Sequence, residues 1–260
     1  MSEPVLKFER LGAVAKLTLN RPETGNAINL DVVKALMDAG IACDEDESIR
    51  CVILTGAGRM FSVGGDIVGF REAGDGLAAH IKLMTSYFHV GINRLMRMPK
   101  PLVTAINGTA AGGGLSLAIL GDIALAARSA QLTVAYSAIG LTSDGGASYM
   151  LPRLVGMRKA QEMMLLNPRL SAEEAASAGL ITRVVEDAAL QDEAMAVAER
   201  LAASATGALG RMRQLLLQSY GATLEQQMET EARLMADCAR SPHGKAGVDA
   251  FLNKRKPEFL

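Results

Sequence analysis

The sequence predicts an α/β fold that ends in helices, and three observations predict it. Short apolar runs alternate with helical stretches up to about residue 170. Two of those runs open into glycine-rich turns at Phe61–Asp66 and Asn107–Ser116. Near residue 200 the composition shifts to consecutive helical patterns, with no low-complexity linker to separate independent domains. The 260 residues suffice for one large domain, and 49% hydrophobic against 21% charged residues supply an ordinary core.

In chain order, Val5–Phe8 and Val14–Asn20 alternate apolar and polar residues around Gly12, which reads as a hairpin. Asn29 is placed to cap a helix through Cys43 that carries Leu30, Val33, Leu36 and Met37 at helical spacing. Cys51–Thr55 is a buried strand closed by Gly56 and Gly58. Leu77–Met98 is a long helix stopped by Pro99 and Pro101. Strands follow at Leu102–Ile106, Ile123–Ala127 and Leu132–Ala135, with helices at Gly112–Leu120, Gly145–Leu154 and Lys159–Leu166. After Ser171 the pattern is almost wholly helical: Ala172–Ala178, Asp187–Ala203, Leu209–Ser219 and Leu224–Cys238. Residues 1–200 therefore form a core and residues 201–260 a helical subdomain.

A net charge of −1 argues against a nucleic-acid partner or a membrane surface. Cys43, Cys51 and Cys238, odd in number and without CxxC spacing, fit neither a disulfide framework nor a zinc site. With no apolar leader in MSEPVLKFER and no run of membrane-span length, the expected location is the cytoplasm.

Each glycine-rich segment follows a buried strand and precedes or opens a helix. Glycine there lets a ligand approach the peptide N–H groups, and a helix N-terminus favours negative charge. Two such donors meeting at one point would form an oxyanion hole; equally, both segments could be plain strand-to-helix turns. Neither matches GxGxxG or GxxxxGK[ST], which argues against a nucleotide loop.

The order of motifs carries more. Asn20-Arg21-Pro22, Asn26-Ala27-Ile28, FSVGGDI, NGTAAGGG and Gly121-Asp122-Ile123 are followed by LPRLVG, LSAEEAASAGLITRVV and GVDAFLNKRKPEF. Over nearly the whole chain this resembles the enoyl-CoA hydratase/isomerase (crotonase) superfamily. The resemblance implies a spiral of ββα units with a helical C-terminal subdomain, assembled as a homotrimer or dimer of trimers. It implies an acyl-CoA substrate whose thioester carbonyl sits between the N–H groups of Gly65 and Gly113, with coenzyme A arriving as part of the substrate and no separate cofactor or metal. Coenzyme A would lie along Ala27, Ile28, Ser62, Val63, Asp66 and Ile67, with Phe251 and Lys254 at the nucleotide end, supplied by a neighbouring subunit.

Hydratases of this family use two glutamates, and the matching positions here are Ser116 and Tyr136. Neither offers a carboxylate. Asp144, within GLTSDGG, matches instead the single carboxylate of the double-bond isomerases, including the ring-opening isomerases of aerobic phenylacetate breakdown. One base suffices for a 1,3-proton shift. In isolation Asp144 would be an N-cap; as a base it needs an apolar surround, for which Ile139, Leu141 and Met84 are candidates.

His89 falls where 4-chlorobenzoyl-CoA dehalogenases of the family carry a catalytic histidine, although their supporting tryptophan is Tyr136 here. A Ser116–His89–Asp144 hydrolytic set lacks a GxSxG context. The remaining alternatives are a thioester hydrolase, an atypical hydratase and a non-catalytic acyl-CoA binder. His80 and His243 read as surface residues. The acyl preference is expected to depend on the loop from Gly69 to Ala79, mobile at Gly74-Asp75-Gly76, and on Met84, Tyr87 and Phe88.

Overall fold

The computed structural model describes residues 3–259; the outermost ends of the two expected segments, residues 1–2 and 260, lie outside the described residues. The chain opens with strands β1 (Leu6–Leu11) and β2 (Val14–Leu19), an antiparallel hairpin in which Leu11 faces Val14 across the turn at Gly12. Helix α1 (Leu30–Glu45) is capped by Asn29, whose side chain accepts from the Val32 N–H at 3.0 Å. Strand β3 (Cys51–Gly56) is buried along its whole length, as a strand covered on both faces must be.

Next come α2 (Ile67–Glu72) and α3 (Leu77–Arg97), which packs against α1. Then follow β4 (Leu102–Ile106), β5 (Ala110–Ala111), α4 (Gly113–Ala118), β6 (Ile123–Ala127) and β7 (Gln131–Thr133). Helix α5 (Ala147–Leu166) is broken at Gly156, which holds φ +75 and ψ 158. It thereby becomes two helical pieces, as the sequence pattern implied. The chain continues through β8 (Leu170–Ser171), α6 (Ala172–Ser177), β9 (Arg183–Val185) and α7 (Leu190–Ala202). It ends in α8 (Thr206–Gln218), α9 (Leu224–Arg240) and α10 (Pro242–Leu252).

Two sheets stack. The larger has the order β1-β2-β3-β4-β6-β9, parallel from β2 onward, and the smaller the order β5-β7-β8. A lone bridge between Ser62 and Ala110 extends the small sheet by one position. Each turn of the chain thus sends one strand to the large sheet, one to the small sheet, and then a helix: β3, Ser62 and α2; β4, β5 and α4; β6, β7 and α5. This is the crotonase-like spiral of ββα units. Between its layers sits an apolar core in which Leu17, Leu54, Phe61, Leu102, Ile106 and Leu115 are fully buried.

Lys100 fixes the entrance to this core. Its Nζ donates to the carbonyls of Cys43, Asp44 and Asp46, closing the last turn of α1 with a cation. Burial pushes that ammonium below its ordinary range, against the pull of Asp44 and Asp46.

The stretch after Ser171 is not wholly helical. Arg183–Val185 forms β9, whose Val184 pairs with Ala126 at the sheet edge, and three residues are too short for alternation to register. The two-residue strands β5 and β8 escaped notice for the same reason. So did α2, which needs Asp66 as its cap, and α10, which Ser241 caps with Pro242 at its first position. The strand expected at Leu132–Ala135 stops at Thr133, because Ala135 takes φ +61 and turns the chain toward the site.

Candidate active site

The two glycine segments run side by side. Ala111 N–H donates to Ser62 O at 2.9 Å, while both Phe61 and Ser62 N–H groups donate to Thr109 O. A Cβ on Gly64 would lie 2.7 Å from Ala111 O and 3.2 Å from Gly113 N, and one on Gly114 would strike Ser62 O at 2.3 Å. Only glycine lets these backbones approach so closely. Ile28 completes the clamp, with its N–H donating to Gly64 O at 2.7 Å and its carbonyl accepting from Asp66 N–H at 3.0 Å.

This register brings Gly65 level with Gly113, the first residue of α4. Among the described residues, neither N–H donates to any protein group. Both residues line one cavity of about 310 Å³, so the two unspent donors belong to one cavity wall. Phe70 roofs the first of them, since a Cβ on Gly65 would meet its ring at 2.8 Å.

The rest of the lining is largely apolar: Val33, Ile67, Phe70, Ile81, Met84, Phe88, Ile139 and Leu141 among others. Asp144 is the one ionisable carboxyl of that wall, and the three apolar neighbours expected for it, Met84, Ile139 and Leu141, are all present. It does not cap a helix. Gly146 occupies the cap of α5 in a left-handed conformation, and only the Asp144 carbonyl accepts from Ala147 N–H. The carboxylate instead accepts from Tyr136 Oη at 2.5 Å on Oδ1. Ser116 Oγ donates to the Asp144 carbonyl at 3.0 Å and lies 3.3 Å from Tyr136 Oη. Burial first, and then the charge of Asp144, push the Tyr136 phenol far above its ordinary range, so it keeps its proton.

His89 stands on α3 beside this group but not in its cavity. Its Nε2 is 3.9 Å from Asp144 Oδ2 and accepts from Gly145 N–H at 3.3 Å. The ring faces a separate space of about 370 Å³ with Asn93, Met96, Arg97 and Tyr149. Ser116, His89 and Asp144 are therefore neighbours without the nucleophile-to-base bond of a hydrolytic triad.

The residues expected along coenzyme A divide into four groups. Ala27, Ile28 and Ser62 are buried, and Ser62 Oγ is already engaged, donating to Asn26 O and accepting from Gly64 N–H. Val63 and Ile67 are exposed apolar residues at the cavity's mouth. Asp66 pairs with Arg21 at 3.0 Å and caps α2. Phe251, 83% exposed, and Lys254 do not line the cavity of their own chain. Tyr87 also stays outside it, beneath Lys34 Nζ. Missed from the sequence were Phe70, whose helix was not foreseen, and the bond from Tyr136 to Asp144, for which an eight-residue separation gives no signal. Among the described residues no group of three or more His, Cys, Asp or Glu side chains could hold a metal ion.

Comparison with known proteins follows the same lines. The family model for enoyl-CoA hydratase/isomerase matches residues 9–260. The chain is 39% identical over 260 residues to a 1,2-epoxyphenylacetyl-CoA isomerase of Escherichia coli K12, covering 100% of this chain and 99% of that one. It is 32% identical to a 4-chlorobenzoyl coenzyme A dehalogenase of Arthrobacter sp, over 97% of this chain and 92% of the relative. Among solved structures it superposes on an enoyl-CoA hydratase from Polaromonas sp. JS666 with a TM-score of 0.93 at 31% identity, covering 97% and 98% of the two chains.

Proposed function

The chain belongs to the enoyl-CoA hydratase/isomerase family, and we propose that within it the protein moves the double bond of an acyl-CoA thioester. One observation carries the choice: the cavity that holds the two unspent N–H groups has a single carboxyl in its wall, Asp144. Adding water to an enoyl group asks for two acid–base groups, whereas a proton shift asks for one.

In this reading the thioester carbonyl lies between Gly65 N–H and Gly113 N–H. Asp144 takes a proton from the carbon next to the thioester carbonyl, and the electron pair of the broken C–H bond spreads as negative charge onto the oxygen those amides hold. The same carboxyl returns the proton at the far end of the allylic unit. Each such donor is typically worth about 10²–10³ in rate, because it is fixed before charge develops. The apolar wall keeps water from competing for the intermediate.

Coenzyme A would run past Ala27, Ile28, Ser62, Val63, Asp66 and Ile67. The buried members would contribute backbone, and Val63 and Ile67 an apolar surface. Phe251 and Lys254 would meet the nucleotide of a neighbouring subunit, in a trimer or dimer of trimers joined through residues 201–260, with residues 1–200 as the catalytic core. No cofactor beyond the coenzyme A of the substrate is called for. The setting would be the cytoplasm, in keeping with three free cysteines and with the lack, among the described residues, of any helix long and apolar enough to cross a membrane.

A second reading, hydrolytic dehalogenation of an aryl-CoA, is favoured by one observation, the place of His89 beside Asp144. Turnover of a 3-enoyl-CoA to the 2-enoyl-CoA tests both. Asp144→Asn should lower kcat by roughly 10²–10⁴-fold while His89→Gln leaves most of it. Retained turnover in Asp144→Asn defeats the isomerase. Halide release from 4-chlorobenzoyl-CoA, lost in both variants, would put dehalogenation in its place.

A further inference from the structure

The two positions where family hydratases keep glutamates hold Ser116 and Tyr136, and a one-base reaction leaves both without a task. Their geometry is nonetheless specific. Tyr136 Oη spends its hydrogen on Asp144 Oδ1 at 2.5 Å, and Ser116 Oγ spends its own on the Asp144 carbonyl at 3.0 Å. A hydroxyl has one hydrogen and two lone pairs. The two oxygens, 3.3 Å apart, therefore face each other with no proton between them. Among the described residues, fully buried Ser116 Oγ is the other side-chain oxygen in hydrogen-bond contact with the Tyr136 hydroxyl besides Asp144.

We propose that Tyr136 and Ser116 are an opposed pair of positioning residues for Asp144, in which Tyr136 favours the carboxylate and Ser116 favours the neutral acid. The inference rests on the reading of Asp144 as the base. With Asp144 ionised, the Tyr136 hydrogen makes a charge-assisted bond to it. With the substrate's proton on Asp144 that bond weakens to a neutral one, and the Tyr136 hydrogen gains by turning toward Ser116 Oγ. Only the hydroxyl rotates. A base that must accept a proton and then return it works best when neither state is a trap, and two opposed partners hold it there.

The opposition gives a signature that a packing role would not. Removing Tyr136 Oη takes more from the carboxylate than from the acid; removing Ser116 Oγ takes only from the acid. The charged or titratable groups facing Asp144 are Tyr136 and, from α3, His89, so the measurement is repeated in His89→Gln. The full-length protein is labelled with 13C at aspartate carboxyls, and the Asp144 signal is identified by its loss in Asp144→Asn.

The pH at which that signal moves should rise by about one pH unit in Tyr136→Phe and fall by about half a unit in Ser116→Ala. In the double variant the Ser116→Ala effect should vanish. Movement of both single variants in one direction, or of neither, overturns the pairing. Turnover of trans-3-hexenoyl-CoA gives a separate readout, with the acid limb of kcat/KM moving in the same two directions. Should Asp144→Asn still isomerise that thioester while the opposed movements persist, the proposed base fails and the pairing stands.

Discussion

Residues 6–202 and residues 206–252 are both rich in helix, yet they treat their apolar side chains in opposite ways. Helices α1, α3 and α7 each bury one stripe: Val32, Val33 and Leu36 on the first, Met84, Phe88 and Leu95 on the second, Leu190, Ala194 and Ala198 on the third. Helix α9 buries none of its 17 residues, although Leu224, Met228 and Met235 share a face and are 57–73% exposed. The first region is held by the hydrophobic effect, which needs no partner beyond the chain itself. The second is tied on by polar bonds and leaves its apolar face for something else. In the assembly we propose, that something is a neighbouring subunit.

The largest expected effect attacks this difference directly. Leu224→Glu with Met228→Glu places two charges on the exposed stripe without touching the core. Sedimentation should show the assembly reduced to single chains, while far-UV circular dichroism keeps its helical signal and the melting temperature loses its dependence on protein concentration. A variant that sediments like the parent would leave α9 with no role in assembly.

Next in size is the bond that attaches α8. Arg213, nearly enclosed, donates from Nε to the Asp122 carboxylate at 2.7 Å and from its two Nη atoms to the carbonyls of Leu95, Met98 and Lys100. Gly210 beside it allows the close approach, since a Cβ there would sit 2.4 Å from Pro99 O. Arg213→Ala leaves a carboxylate and three carbonyls without their cation, and should cost about 3 kcal/mol in urea unfolding. Arg213→Lys should recover only part, because one ammonium cannot reach the carboxylate and all three carbonyls that three guanidinium nitrogens serve. A cost near zero would mean that α8 is held by apolar contact after all, and the contrast between the regions would narrow.

The sequence revealed the first region far better than the second, and for a physical reason. A stripe such as Leu30, Val33, Leu36 and Met37 announces a helix because burial selects one face, and Asn29 marks where it starts. The glycine segments were legible too, since a residue without a Cβ at Gly64 and Gly114 is a demand of the backbone itself. What stayed hidden depends on three-dimensional neighbours: the turn of Ala135 that swings Tyr136 onto Asp144, the edge strand Arg183–Val185 completed only by its pairing with β6, and the separate space on the far side of His89. In α9 the helical pattern was visible, but a pattern read from one chain does not tell which apolar faces that chain leaves uncovered.

The smallest effect asks how much a polar tie matters inside the apolar region. Arg21 and Asp66 pair at 3.0 Å with side chains only 17% and 16% exposed, and Arg21 also donates to Ala27 O. Burial works to raise the Asp66 carboxyl, but the bonds from Arg21 and Gly69 N–H outweigh it and hold the group below the usual carboxylate range. A carboxyl held lower in the folded state than in the unfolded chain stabilises the fold above its unfolded value, and that support disappears as pH falls through the folded one. Asp66→Asn should therefore cost about 1 kcal/mol at pH 7, and the gap between variant and parent should close as pH falls below about 4. Urea midpoints at pH 7, 4.5 and 3 measure it. Asn retains the oxygen that caps α2, so a gap that persists unchanged at pH 3 would mean that the charge pairing of Asp66 with Arg21 is not what holds the neighbourhood of Ile28 and Gly65.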